Sequence, residues 1–138
     1  MAALTGNKPT TQLDTSLEGL PVKAATTIYA GALTCTDATG FAVPGAVATT
    51  LIARGVADAK ADNATGANGD IKAKVRPGIF KFKNHGADLV LAADSGLYCY
   101  IVDDQTVAKT DGAATRSKAG KVVAVESDGV FVAIGLQY

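Results

Sequence analysis

The stretch Ala119–Gly135, AGKVVAVESDGVFVAIG, decides the fold of this chain. It consists of two apolar runs, Lys121–Glu126 and Val130–Gly135, separated by Ser127-Asp128-Gly129. A glycine at the third loop position is typical of a three-residue β-hairpin, because glycine readily adopts a positive φ. Successive strand residues point to opposite faces, and both faces of this hairpin are apolar. The hairpin must therefore be covered twice, by a second sheet, by a closed barrel or by another protein chain.

Two further hairpins are predicted upstream of this stretch. Tyr98–Val102 and Thr106–Lys109 are rich in β-branched and aromatic residues and are joined by a polar turn. In the unit Asp70–Asn84, apolar and basic residues alternate on both sides of Pro77-Gly78, which is a tight-turn signal. Each unit therefore has the pattern of two antiparallel strands.

The remaining segments add short strands and little helix. Thr26–Cys35 reads as one long strand, and Ala92–Ser95 favours a single helical turn that Gly96 ends. We expect an all-β fold, a small single-domain β-barrel or β-sandwich of about 8–10 short strands. The domain should span residues 21–138, preceded by an extended N-terminal arm at residues 1–20.

The arm shows neither strand alternation nor a sustained helical period, and Gly6, Pro9 and Gly19 interrupt it. Its leucines are too widely spaced to form one strand face; they are Leu4, Leu13, Leu17 and Leu20. Fixing a residue costs about 1–2 kcal/mol of backbone entropy, so the arm needs a partner that buries these leucines. We expect it to lie on a neighbouring subunit of an assembly.

Composition argues against several classes of function. Thirteen basic residues balance thirteen acidic ones, so no net field attracts nucleic acid or an anionic membrane. The chain has no apolar run of about 18 residues or more, as a spanning helix requires, and MAALTGNKPTTQ lacks signal-peptide features. We therefore expect a cytoplasmic protein whose two cysteines, Cys35 and Cys99, are reduced and buried.

The sequence offers few candidate catalytic residues, and we expect no enzyme activity, no cofactor and no metal. His85 is the only histidine and lies in a predicted surface turn. Asp62–Asp70 begins like a calcium loop but has Ala64 at a ligand position. Two alternatives stay open: a small β-barrel enzyme that uses Cys99 or His85, and a virion-surface adhesin that binds a host receptor through Asp62–Asp70 and Thr110–Lys118.

Several segments in a fixed order resemble the capsid cement, or head decoration, proteins of tailed bacteriophages. They include VKAATTIYAGAL at Val22–Leu33, RPGIF at Arg76–Phe80 and LYCYIVDDQTV at Leu97–Val107. The resemblance implies a structural protein that binds the outer surface of the major capsid protein lattice and stabilises the DNA-filled head. It also implies homotrimers on the outer capsid surface of the virion, assembled in the host cytoplasm.

Oligomer formation also follows from the residues themselves. One domain of this size has limited means to cover both apolar faces of the strands at Tyr98–Val102 and Ala119–Gly135. The candidate residues for a subunit interface are Tyr98, Tyr100, Phe131 and Val132.

Overall fold

A computed structural model describes residues 2–13 and 16–138, and this part of the chain is all-β, as predicted. It contains twelve short strands, slightly more than expected, and one 3-10 turn at Ala92–Asp94. The 3-10 turn lies where the sequence favoured a helical turn, and Gly96 follows it with a φ of 88°.

The first half of the chain forms an open sheet of five strands in the order β1-β7-β5-β3-β4 and a small β2-β6 pair. The bounds are β1 Glu18–Pro21, β2 Thr26–Ile28, β3 Leu33–Thr36, β4 Ala42–Pro44, β5 Ile52–Ala57, β6 Ala61–Asn63 and β7 Lys72–Arg76. Both edge strands, β1 and β4, end in a proline. Proline lacks the amide that a further strand would need, and Val22, directly after β1, forms a parallel bridge with Ala42 of β4, so the two edges are partly occupied.

The second half forms a closed barrel in the order β10-β8-β12-β11-β9. Its strands are β8 Gly78–Asn84, β9 Tyr98–Ile101, β10 Thr106–Ala108, β11 Lys118–Glu126 and β12 Gly129–Ile134. The β8-β10 pairing is parallel and the other four pairings are antiparallel. Closure removes free edges, and it buries the inner face of every strand.

The hairpin predicted at Ala119–Gly135 is confirmed as β11-β12, but its turn is shorter than predicted. Glu126 pairs directly with Gly129, which leaves Ser127-Asp128 as the connection. Gly129 has no positive φ; its backbone instead lies so close to the Phe82 carbonyl that an added Cβ would come within 2.7 Å. The hairpin at β9-β10 is confirmed as well.

The predicted hairpin over Asp70–Asn84 is wrong. β7 pairs with β1 and β5 in the sheet, whereas β8 pairs with β12 and β10 in the barrel. Pro77-Gly78 is therefore the link by which the chain leaves the sheet and enters the barrel. The long strand predicted for Thr26–Cys35 is also interrupted, because the chain turns at Gly31 with a φ of 86°.

Two apolar clusters form the interior. The larger fills the barrel with fully buried side chains of β9 and β12, and Leu33, Cys35 and Val56 of the sheet pack onto it. The smaller lies around Val22, Ile28 and other residues of the first half. The closed barrel thus covers one face of the β11-β12 hairpin from within the same chain. A closed barrel was one of the three possible covers predicted for this hairpin.

The sheet and the barrel meet in backbone contact around Pro77. A Cβ added to Gly55 would overlap the Arg76 carbonyl oxygen and lie 2.9 Å from the Pro77 nitrogen. A Cβ on Gly135 would lie 2.6 Å from the Pro77 Cβ. The φ values of Gly55 and Gly135 are 150° and 132°, which also favour glycine. We call this contact of Gly55, Gly135 and Pro77 the junction.

We predict that Gly55→Ala destabilises the protein by about 2–3 kcal/mol, because it adds both a steric overlap and an unfavourable φ. Gly86→Ala is the matched control, since nothing lies within 4 Å of its added Cβ. The control should change the free energy of unfolding by less than about 0.5 kcal/mol. Urea denaturation measures both, and equal midpoints for the two variants would contradict the role of the junction.

Candidate binding surfaces

The described residues of the arm that precede β1 are all exposed. All residues from 2 to 13 are exposed, and Leu4 and Leu13 are 72% and 77% accessible. Leu17 is 44% accessible. Removing three leucines from water would release hydrophobic free energy that the isolated chain does not gain. These leucines are therefore available to a partner.

The predicted arm is too long at its inner end, and Leu20 is not one of its binding residues. Glu18–Pro21 form β1, which pairs along its length with β7. Leu20 is only 7% accessible and belongs to the smaller apolar cluster of the domain itself. The sequence pattern missed this short strand because it contains Gly19 and ends in a proline. The boundary between arm and domain therefore lies between Leu17 and Glu18.

The root of the arm is fixed by an ion pair. Glu18 Oε2 accepts a hydrogen bond from Arg54 Nη2 at 2.7 Å, and the two side chains are 13% and 17% accessible. Arg54 is the extra residue of a β-bulge, because Thr34 pairs with Gly55 and Cys35 pairs with Ala53. The bulge turns Arg54 out of the strand register, and there it holds the first residue of β1.

We predict that Glu18→Gln lowers the free energy of unfolding by about 1.5–3 kcal/mol, because a poorly hydrated guanidinium loses its charged partner. Lys23→Gln is the control: Lys23 pairs with Asp37 at 3.1 Å but is 51% accessible, so its loss should cost less than about 1 kcal/mol. Adding Arg54→Met to Glu18→Gln should recover part of the loss. Equal effects of the two single variants in urea denaturation would contradict this ranking.

The outer face of the barrel carries three of the four predicted interface residues. Tyr98 is 42% accessible, and Tyr100 and Phe131 are half-buried. Lysine ammonium groups lie over two of these rings: Lys118 Nζ is 4.6 Å from the Tyr98 centroid, and Lys81 Nζ is 5.6 Å from that of Phe131. The lysines partly shield the two rings from water, and Lys81 is itself paired with Glu126 and Asp128.

The prediction that Val132 belongs to a subunit interface is wrong. It is fully buried in the barrel interior between β8 and β11. The sequence pattern showed that both faces of β12 are apolar, but it could not show which face the barrel encloses. The face that stays accessible carries Phe131 and Ala133, both half-buried.

A groove of about 320 Å³ lies where the sheet meets the barrel, and we call it the seam groove. It is lined by Leu51 and the first two residues of β5, Ile52 and Ala53, by Tyr98, by Lys118–Gly120, and by Gly135, Leu136 and Tyr138. Its walls are mostly apolar, and Ile52, Leu136 and Tyr138 are 54%, 63% and 52% accessible. Sequence reasoning missed this site, because its walls come from four separate segments; the one available signal was the apolar pair Leu136 and Tyr138 after β12.

The two loops assigned to the adhesin alternative are both fastened to the domain. In Asp62–Asp70, Asn63 is 3% accessible and its Nδ2 donates to the Val22, Lys23 and Ala67 carbonyls. Asp62 and Asp70 accept from backbone amides of the same loop, as in ordinary turns. Within the described residues, no group of three His, Cys, Asp or Glu side chains could hold a metal ion.

Asp88 fastens the loop Thr110–Lys118. Its Oδ2 accepts from the Thr110 hydroxyl at 2.6 Å, the Thr110 amide at 3.0 Å and Arg116 Nη1 at 3.0 Å. These donors, with the Thr110 hydroxyl first, lower the pKa of Asp88. The backbone between them is left-handed at Gly112, Ala113 and Ala114, with φ values of 62°, 59° and 65°. The loop therefore presents one fixed shape.

Burial makes Cys99 a poor nucleophile. Burial raises the pKa of Cys99 to about 12, and Cys35 is raised equally by the same cause. A thiol with this pKa stays protonated and is a weak nucleophile. Cys99 Sγ lies 3.5 Å from the Gly120 carbonyl. The His85 amide donates to the Val107 carbonyl, at the start of a turn.

We predict that neither thiol reacts with a disulfide reagent such as Ellman's reagent at pH 8 while the protein is folded, and that both react after denaturation. The cause is that the two side chains are inaccessible in the fold, where both cysteines are free. Absorbance at the product wavelength counts the thiols. Rapid reaction of one thiol in the folded protein would contradict this prediction and favour the enzyme alternative.

Comparisons with known proteins add no assignment. No family model matches the chain, and no curated protein and no solved structure is significantly similar to it. In the described part of the chain, no helix has the length and apolar character needed to cross a membrane.

Proposed function

We propose that this chain is a structural head decoration protein of a tailed bacteriophage, a capsid cement. In this role it binds the outer surface of the major capsid protein lattice as a homotrimer and stabilises the DNA-filled head. It acts without catalysis or cofactor, on the outside of the virion, after assembly in the host cytoplasm.

The observation that carries the proposal is the combination of a closed β domain with an arm whose leucines at positions 4, 13 and 17 are exposed. The barrel is closed and its core is fully buried, so the domain needs no partner to fold. The arm exposes Leu4 and Leu13 almost completely. An extended segment of this kind gains order and buries its leucines only on a neighbouring surface, and a lattice of repeated subunits offers that surface at every site.

Further support comes from the sequence segments that resemble cement proteins and from the way the arm is held. The Glu18–Arg54 ion pair and β1 fix the arm at its root, so tension on the arm passes into the sheet. A clamp between subunits needs this link between a flexible contact and a rigid body. The accessible aromatic face around Tyr98 and Phe131 is the surface that we assign to contacts between copies.

The test is to mix the purified protein with undecorated capsids of a phage that encodes it and to measure co-sedimentation. We predict saturable binding at a fixed ratio to the major capsid protein. Deleting residues 2–12 should weaken binding at least about tenfold, because apolar contacts between the arm and the lattice are lost. The melting temperature should change little, since the deletion leaves β1 and its ion pair intact.

The matched control for the deletion is Leu91→Asp, which changes an exposed leucine of the body and should bind as the wild type does. Failure of the full chain to bind at tens of micromolar would overturn the proposal. Tight binding by the deleted chain would show that the arm is not the anchor.

A further inference from the structure

The seam groove has the size and lining of a site for one or two side chains of a partner. Its volume of about 320 Å³ lies at the lower end of the range for binding pockets, which suits a single aromatic side chain better than a whole strand. Its lining combines the buried residues Ala119 and Gly120 with the accessible side chains of Ile52, Leu136 and Tyr98. An apolar ring placed there would remove all three side chains from water.

The rim of the groove carries positive charge that the chain itself does not neutralise. Lys118 Nζ and Lys121 Nζ lie 4.6 Å and 5.7 Å from the centroid of the Tyr98 ring. Across the described residues, neither ammonium group makes an ion pair with a carboxylate. Contact between two grooves would bring four such groups together, which is unfavourable. The groove instead favours a partner surface that carries carboxylates.

A surface of the opposite charge lies beyond the other end of β9. Asp103 and Asp104 follow each other in the turn between β9 and β10, and in the described part of the chain neither carboxylate has a cationic partner. Two hydrogen bonds hold the turn. The Val102 amide donates to the Thr106 carbonyl at 3.0 Å, and the Gln105 amide donates to Asp103 Oδ1 at 2.9 Å. The carboxylates are thus presented at little further cost in backbone entropy.

An exposed aromatic side chain stands beside this turn. Tyr29 is 60% accessible and borders an open depression together with Asp104 and Gln105. Lys60 Nζ lies over the ring at 5.4 Å from its centroid and leaves the opposite face of the ring uncovered by this contact. Tyrosine is among the residues that contribute most to binding when an interface buries them. We call Tyr29, Asp103 and Asp104 the acidic patch.

The groove and the acidic patch cannot meet within one chain. Tyr98 and Ile101 are the first and last residues of β9, and at about 3.3 Å per residue the turn begins roughly 10 Å beyond Tyr98. Both ends of the strand are fixed by pairing, Tyr98 with Lys121 and Ile101 with Val107. Contact between the two surfaces therefore requires a second copy.

From these observations we propose that the seam groove of one copy binds the acidic patch of a second copy of this chain. The Tyr29 ring packs against the apolar walls of the groove, and the two carboxylates lie near Lys118 and Lys121. The contact joins two different surfaces, so it repeats from copy to copy and closes into a ring when the rotation between copies permits. The inference rests on the proposed function only for the number of copies, three. The arm takes no part in this contact and stays available to the capsid lattice.

The test uses the free full-length protein without capsids, so its outcome is independent of capsid binding. Chains with Gln105→Cys and chains with Leu136→Cys, one of them tagged, are mixed and oxidised mildly. The proposal predicts a disulfide between tagged and untagged chains, because position 105 lies beside the acidic patch and position 136 lies in the groove. The native thiols are buried and do not compete. Chains with Leu91→Cys, an exposed position outside the groove, should form at least about tenfold less of this product with Gln105→Cys chains.

Charge reversal gives a second, reversible readout by sedimentation equilibrium. Asp104→Lys and Lys118→Glu should each weaken self-association about tenfold, and the double variant should recover most of the loss, because every contact then carries the exchanged charges. Tyr29→Ala should weaken self-association at least about tenfold. Lys72→Glu is the control, since Lys72 is an exposed residue of β7 outside both surfaces, and it should leave self-association unchanged. Circular dichroism melts check that all variants fold.

Three results would overturn the proposal. The first is a wild-type chain that stays monomeric up to about 100 µM, a range in which a specific interface of this kind should be populated. The second is equal cross-linking of Gln105→Cys chains to the groove and control positions. The third is self-association that Asp104→Lys and Lys118→Glu leave as strong as Lys72→Glu does. Capsid binding by the same protein would remain a separate result in each case.

Discussion

The backbone contact at the junction is the constraint on which the rest of the structure depends. Pro77 lies between Gly55 of the sheet and Gly135 after the last barrel strand, and neither glycine has room for a side chain. The approach of sheet and barrel at this point is therefore limited by main-chain atoms and the Pro77 ring, which cannot change rotamer as longer side chains can. The apolar contacts of Leu33, Cys35 and Val56 with the barrel core hold the two halves in this position.

Both candidate surfaces are neighbours of the junction in sequence. Arg54, which holds the arm at Glu18, precedes Gly55, and Leu136, which borders the seam groove, follows Gly135. The folded domain thus carries the seam groove and the origin of the arm close together in sequence. This arrangement suits a protein that joins subunits, because strain taken up by the arm is transmitted through main-chain contacts to both halves.

The sequence predicted local pairing well and long-range placement poorly. The β11-β12 and β9-β10 hairpins, the all-β class and the buried free cysteines were all readable, because each depends on neighbouring residues. Pro77-Gly78 was misread, since the same dipeptide suits a hairpin turn and a link between two sheets. The burial of Leu20 and Val132 depends on pairing with strands that are distant in sequence, so no local pattern shows it. The seam groove is formed by four separate segments, so no local pattern shows the groove either.

The central claim is that the arm becomes ordered only on a partner while the domain is already complete. Hydrogen–deuterium exchange, read residue by residue, tests it most directly. In dilute free protein, amides of residues 2–12 should exchange at the rate of an unstructured peptide, and those of the barrel strands β9 and β12 should exchange slowly. On undecorated capsids, the arm amides should become protected and those of the barrel should change little. Arm exchange that is equally fast with and without capsids, or already slow in the dilute protein, would contradict the account.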